Sequence, residues 1–191
     1  MELLKQKILA EGKNLGQGIL KIDSFLNHQI DVKLMEAVGE EIARRFRHLE
    51  PTRVLTAEVS GIIPAAMAAK ALGDVPVVYA RKRRPVTMRE PVFVDSAPSH
   101  TKGGEVLLMV SPEFLHVGDR VLIVDDFLAS GRTIDALGRI VQQSGATLVG
   151  IAAVVEKVFE GGRDVLHHWG VPIEAMATIV DMSNGRIVLA N

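Results

Sequence analysis

"VLIVDDFLASGRT", residues 121–133, sets an apolar run against two adjacent aspartates and then a turn of small residues. Residues 121–124 predict a buried strand, and Ile134, Leu137, Ile140 and Val141 fall on one face of a following helix. In an open parallel sheet ligands gather at the carboxyl ends of strands, which is where Asp125 and Asp126 stand. Ala129, Ser130, Gly131, Arg132 and Thr133 then lead into a helix whose first N–H groups have no partner within it and can hold phosphate oxygens. Gly131 lets the backbone come close, and the Ser130 and Thr133 hydroxyls can add hydrogen bonds. The loop suits a phosphate, while the acids must face something neutral or cationic; a ribose 5-phosphate carries both kinds of group. The same pattern is also that of an ordinary βα connection with a helix N-cap. Neither a Walker loop nor a GxGxxG after a strand occurs, which argues against nucleoside triphosphate and dinucleotide sites.

Outward from this stretch, the chain alternates strand-like and helix-like segments. Further strands are expected at residues 53–57, 75–80 and 148–155. Met35, Val38, Ile42, Phe46 and Leu49 recur at helical spacing after Asp31, a good helix-entry residue. "IIPAAMAAKALG" carries a proline in its first turn and a glycine at its end. Such alternation predicts right-handed βαβ units, an α/β fold with a parallel sheet flanked by helices. Residues 83–112 break the pattern with four prolines and a Gly-Gly pair, and predict an antiparallel excursion with a mobile tip near Ser99 to Gly104. From Val171 a strand and then a hairpin about "DMSNGRIVLA" are expected, Asn184-Gly185 being the turn signal.

With 191 residues, 48% of them hydrophobic, the chain can bury one sizeable core, and a single domain is expected. A formal net charge of −1 gives no global attraction for nucleic acid or for an anionic membrane, so polyanion binding must be local. The absence of cysteine removes disulfides, thiolate nucleophiles and Cys-ligated metals, and points to a reducing compartment. "MELLKQKILAEG" lacks the features of a secretory signal and no apolar run is long enough to span a bilayer, so a soluble, cytoplasmic protein is expected. The six histidines show no metal spacing.

"VLIVDDFLASGRT" resembles the phosphoribosyl diphosphate motif of type I phosphoribosyltransferases. The likeness fixes strand, acids and loop in one order; Ser130 and Arg132 depart from the family's usual Ala-Thr-Gly-Gly-Thr loop. "LKIDSFLNHQID", "SGIIPA", "VPVVYARK", "VDDFLASG" and "VVEKVFEGGRD" together are similar to the bacterial xanthine phosphoribosyltransferases of purine salvage. The resemblance implies transfer of ribose 5-phosphate from phosphoribosyl diphosphate to N9 of xanthine, release of pyrophosphate, Mg²⁺ as cofactor and a homodimer. It also implies a hood formed by about residues 1–35 and 157–191.

By that resemblance Ala129, Ser130, Gly131, Arg132 and Thr133 cradle the 5-phosphate, and Asp125 with Asp126 lie beneath the ribose as catalytic acids. Mg²⁺ is expected to be held mainly through substrate and water, without a cage of protein ligands. Ser60, Gly61, Arg81, Lys82 and, from the loop, Lys102 or Ser99 are implied at pyrophosphate, with Arg81 and Lys82 reaching across the dimer. "RKRR" read alone is equally a solvated basic patch. Lys157 resembles the lysine at the purine's 6-oxo edge, and Asn27 and Leu20 match positions that line the base, Asn27 toward the 2-oxo side. Phe159 is a packing partner for the purine or for the core. Related hypoxanthine–guanine enzymes carry an acid where Ala129 stands, so the proton acceptor is left unidentified here. Two alternatives stay open: a guanine- or hypoxanthine-preferring transferase, and a phosphoribosyl diphosphate-sensing regulator that binds nucleic acid. The even charge and the lack of spare length for a helix-turn-helix favour no nucleic-acid partner.

Overall fold

The computed structural model describes residues 1–98 and 104–190. In chain order the elements are α1 (Glu2–Glu11), β1 (Lys13–Asn14), β2 (Leu20–Lys21), α2 (Val32–Phe46), β3 (Arg53–Ala57), α3 (Ile62–Ala71) and β4 (Val77–Ala80). They continue with β5 (Phe93–Pro98), β6 (Glu105–Val110), β7 (Arg120–Leu128), α4 (Arg132–Ser144), β8 (Thr147–Lys157), α5 (Gly162–Leu166), β9 (Ile173–Asp181) and β10 (Val188–Leu189). A π-helical turn, Asp23–Asn27, precedes α2.

The main sheet has the order β10-β9-β8-β7-β3-β4, parallel except for the β10 edge. Its central strands are apolar on both faces, as a sheet covered on both sides requires. Val54, Leu122, Val124, Ala152 and Val154 meet α1, α2 and α3 on one face, while Leu55, Val121, Ile123, Ile151 and Ala153 meet α4 and α5 on the other. The first core also takes in Leu20, Ile22, Phe25 and Leu26 from the amino-terminal segment together with Met176, Ile179 and Met182 from the carboxyl-terminal one.

The expected helix after Asp31 forms with that residue as its cap, the carboxylate accepting the Leu34 N–H at 3.1 Å. Its apolar face is the anticipated one, although Leu49 falls in a separate 3₁₀ turn. The antiparallel excursion is the β5–β6 hairpin, paired from Phe93↔Val110 to Pro98↔Glu105. The expected tip at residues 99–103 lies outside the described residues. The base of the hairpin is fastened to α4: Arg139 donates to both carboxylate oxygens of Asp95 at 2.8 and 2.9 Å and also pairs with Asp135. In the last hairpin Asn184 and Gly185 both have positive φ, 53° and 73°, as an Asn-Gly turn allows.

Strand lengths are where the sequence misleads. The strand expected at 121–124 runs on to Leu128, because Asp125, Phe127 and Leu128 keep their pairing with Ala153, Val155 and Glu156 of β8. The ladder of a long neighbour overrides the low strand preference of aspartate. Among the described residues, no helix is long and apolar enough to cross a membrane.

Helices α2 and α3 pack closely at Gly39, where a Cβ would stand 2.4 Å from the Met67 carbonyl carbon. Gly39→Ala would raise intrinsic helix preference by about 1 kcal/mol. Overpacking is expected to outweigh that gain and lower stability by about 1–3 kcal/mol. A fall in the urea midpoint at constant slope checks this; a rise would mean that the helices part without strain.

Candidate active site

The chain leaves β3 through α3 to β4 on one side of the sheet, and leaves β7 through α4 to β8 on the other. The reversal of direction between β3 and β7 is the topological switch point where ligands bind in such sheets. Pairing between these two strands covers only Arg53↔Val121 to Leu55↔Ile123. Beyond Ile123, β7 is held by β8 alone, and a cleft of about 830 Å³ opens between the strand ends. That volume suits a ligand of nucleotide size.

Two strand-to-helix loops face this cleft. Ala129, Gly131 and Thr133 line it from the start of α4, whose entry residue Gly131 has φ 75° and no side chain capping the first turn. Arg132 is exposed and outside the lining. Opposite, Ser60 and Gly61 line it from the start of α3, after a cis peptide between Glu58 and Val59. A Cβ at Gly61 would stand 2.3 Å from the Thr56 hydroxyl and 2.6 Å from an Asp125 carboxylate oxygen, so only glycine fits.

The two acids differ in environment, as alternation along a strand dictates. Asp125 is buried, at 7% exposure, and its Oδ1 accepts the Asp126 N–H at 3.0 Å. Burial pushes the Asp125 carboxyl well above the ordinary carboxylate range, the Asp126 charge adds to the effect, and Lys82 opposes it. Asp126 is half-buried, and its Oδ2 accepts a hydrogen bond from the Asn27 amide at 2.8 Å. Asn27 is therefore engaged with the acid pair in this structure and is outside the cavity lining.

Leu20, Lys157 and Phe159 line the far end of the same cleft. The Lys157 ammonium donates to the Gly18 carbonyl at 3.0 Å, pairs with Glu160 and lies 5.6 Å from the Phe127 ring centre. Two of its three donors are thus held and the ammonium is fixed beside the cavity.

Lys82 lines the cleft, but Arg81 of the same protomer does not. Arg81 pairs with Glu58 at 2.8 Å, stacks 5.7 Å from the Tyr79 ring centre and borders a different cavity. The Glu58 carboxylate and the Tyr79 ring hold the Arg81 side chain in that position. Lys102 lies outside the described residues. Among the described residues, no cluster of three or more His, Asp or Glu side chains is set to hold a metal ion.

Three residues of the site escaped the sequence reading. Glu58 organises the second loop, accepting the Lys82 N–H at 2.6 Å as well as pairing with Arg81. Glu160 holds Lys157. Gly162 lies directly behind the phosphate-type loop: a Cβ there would stand 2.2 Å from the Ala129 carbonyl oxygen. The Gly-Gly doublet after a strand end was the available signal for the last of these.

Two strand-to-helix loops of a parallel sheet thus face each other across the paired acids of β7. The Phosphoribosyl transferase domain family matches residues 24–175, and the chain belongs to that family. It is 51% identical to the xanthine phosphoribosyltransferase of Deinococcus deserti over 97% of this chain and 95% of that protein. It is 46% identical to the xanthine phosphoribosyltransferase of Oceanobacillus iheyensis, over 98% of this chain and 96% of that one. The resemblance drawn from the motifs is borne out by these relatives. Among solved structures, adenine phosphoribosyltransferase from Rhodothermus marinus superposes with TM-score 0.74 at 29% identity, covering 93% of this chain and 97% of that one. The enzyme from Giardia lamblia superposes with TM-score 0.78 at 21% identity, over 93% and 98%, a likeness of fold.

The raised carboxyl of Asp125 carries a stability cost. Below its ordinary range the group is protonated in both folded and unfolded chains; as pH rises toward its folded value the unfolded chain gains by ionising first. Asp125→Asn is therefore expected to stabilise the free protein at pH 7. The gain should shrink as pH falls toward about 4. Urea denaturation of both proteins at several pH values measures it, and an equal difference at every pH would contradict the assignment.

Proposed function

We propose that the protein transfers the 5-phosphoribosyl group of phosphoribosyl diphosphate to N9 of xanthine, forming xanthosine 5′-monophosphate and pyrophosphate. One arrangement carries this reading: in a single cleft, two anion-type loops flank the acids of β7, and an ammonium stands at the far end. The names of the most similar relatives agree with it.

In this reading Ala129, Ser130, Gly131, Arg132 and Thr133 take the 5-phosphate, with Arg132 contributing its backbone N–H since its side chain is turned to solvent. Ser60, Gly61 and Lys82 take the pyrophosphate. Arg81, turned away from its own cleft, is proposed to serve the cleft of a second copy in a homodimer. The N9–C1′ bond forms as the C1′–oxygen bond breaks, its electron pair leaving with pyrophosphate. Asp126 and Asp125 lie beneath the sugar, where the Asp126 carboxylate, beside the buried Asp125, stabilises the cationic character of C1′ in the transition state. Mg²⁺ carried on the diphosphate would be held mainly by substrate oxygens and water beside the β7 acids, and it would offset the charge of the leaving group. Lys157 donates to an acceptor on the 6-oxo edge, and an adenine amino group would leave it unpaired. Leu20 and Phe159 pack on the purine, while Asn27, released from Asp126, turns its amide toward the 2-position. No acid stands at Ala129, so a purine that ionises readily in water needs least help, which favours xanthine over guanine and hypoxanthine.

One domain is proposed, with residues of about 1–35 and 157–191 as the hood over the cleft. A cytoplasmic setting fits a chain with no cysteine. No nucleic-acid partner is proposed.

Pyrophosphate release from phosphoribosyl diphosphate and Mg²⁺ is expected to be fastest with xanthine among xanthine, guanine, hypoxanthine, adenine and orotate. Turnover of guanine or hypoxanthine above xanthine would favour the alternative transferases, and no turnover with any 6-oxopurine would remove the activity. Lys157→Met is expected to raise the xanthine KM about tenfold or more, the worth of a hydrogen bond from a charged group. Asn27→Ala should raise the xanthine KM more than that for phosphoribosyl diphosphate; an unchanged xanthine KM takes Asn27 out of the purine site.

A further inference from the structure

The segment after β8 serves two parts of the cleft. Lys157, Phe159 and Glu160 form its purine end, and Gly162 then lies against the back of the phosphate loop. The contact is backbone on backbone: a Cβ on Gly131 would stand 2.6 Å from the Gly162 carbonyl oxygen, and one on Gly162 would stand 2.7 Å from the Gly131 nitrogen. Two consecutive glycines cannot hold this position through side chains. The next residue can. Arg163 donates through Nε and Nη2 to the two oxygens of Glu156 at 2.9 and 2.8 Å, and through Nη1 to the Ile173 carbonyl at 2.8 Å.

Glu156 is the anchor. It is 3% exposed, and its backbone is paired with Leu128 of β7 and Thr178 of β9, in the middle of the sheet. It is also outside the cleft lining, so a buried carboxylate is kept where the chemistry does not reach it. Such pairs seldom improve stability over apolar packing, but a planar fork on a fixed carboxylate defines geometry. The far end of the segment is fastened as well, since the Trp169 indole N–H donates to Asp135 in the first turn of α4 at 2.9 Å.

We propose that Arg163 is a positioning residue: by gripping Glu156 and the Ile173 carbonyl it seats Gly162 beneath the phosphate loop and sets that loop in register with Lys157. The inference rests on the reading above that this loop holds the 5-phosphate. A loss of Arg163 then misplaces one anion loop and spares the other, which is built on α3.

Calorimetric titrations with ribose 5-phosphate and with pyrophosphate test this. For Arg163→Met, ribose 5-phosphate affinity is expected to fall at least tenfold and pyrophosphate affinity by less than twofold. Arg163→Lys should recover part of the loss, because an ammonium can meet one carboxylate oxygen but cannot form the fork. Arg163→Met leaves the Glu156 carboxylate buried without its partner and can fail to fold. The pair Glu156→Gln with Arg163→Met removes both charges, and is expected to show the same selective loss. Unchanged ribose 5-phosphate affinity in these variants, or equal weakening of both ligands, overturns the proposal. Wild-type protein that binds pyrophosphate but no ribose 5-phosphate overturns the phosphate-loop reading itself, and this inference with it.

Discussion

The parting of β3 and β7 after the Leu55–Ile123 pair is the constraint on which the site depends. Up to that point both strands are tied by backbone hydrogen bonds and buried on both faces. Beyond it β7 continues beside β8 alone, and the space vacated by β3 becomes the cleft. The two helices that follow, α3 and α4, then begin on opposite sides of one opening. Residues at both helix starts line the same volume. The sheet thus brings two helix starts, each with a positive partial charge, together without needing a basic protein surface.

Between those loops the strand supplies the opposite charge. The strand period sends Asp125 inward, where burial opposes its ionisation, and leaves Asp126 half-open and hydrogen-bonded to Asn27. Burial of the Asp125 carboxyl is unfavourable for the free protein. Lys157 is likewise held in place, by Gly18 and Glu160, in the lining of the same cleft.

Much of this was legible in the sequence because it is local. The α4 face, the Asp31 cap, the loop from Ala129 to Thr133 and the final Asn-Gly turn follow from residue spacing within about one or two turns of chain. The length of β7 was not legible, since its last residues are strand only because Val155 and Glu156 pair with them. The direction of Arg81 was hidden for a similar reason: its partner Glu58 belongs to the loop after another strand. The contact of Gly162 with Ala129 and Gly131 spans some thirty residues of chain and leaves no periodic trace.

By itself, then, the sequence determined the alternation of strands and helices, the order of acids and small residues in "VLIVDDFLASGRT", and the absence of thiol chemistry, because each depends on residue type and short-range geometry. Only the tertiary structure decided which strand ends part to make a cleft, which of two adjacent aspartates is buried, and that Gly162, beside an Arg163 fixed on Glu156, stands behind the loop from Ala129 to Thr133. Those are outcomes of packing between segments far apart in the chain, where shared burial and paired hydrogen bonds, rather than local preference, select the conformation.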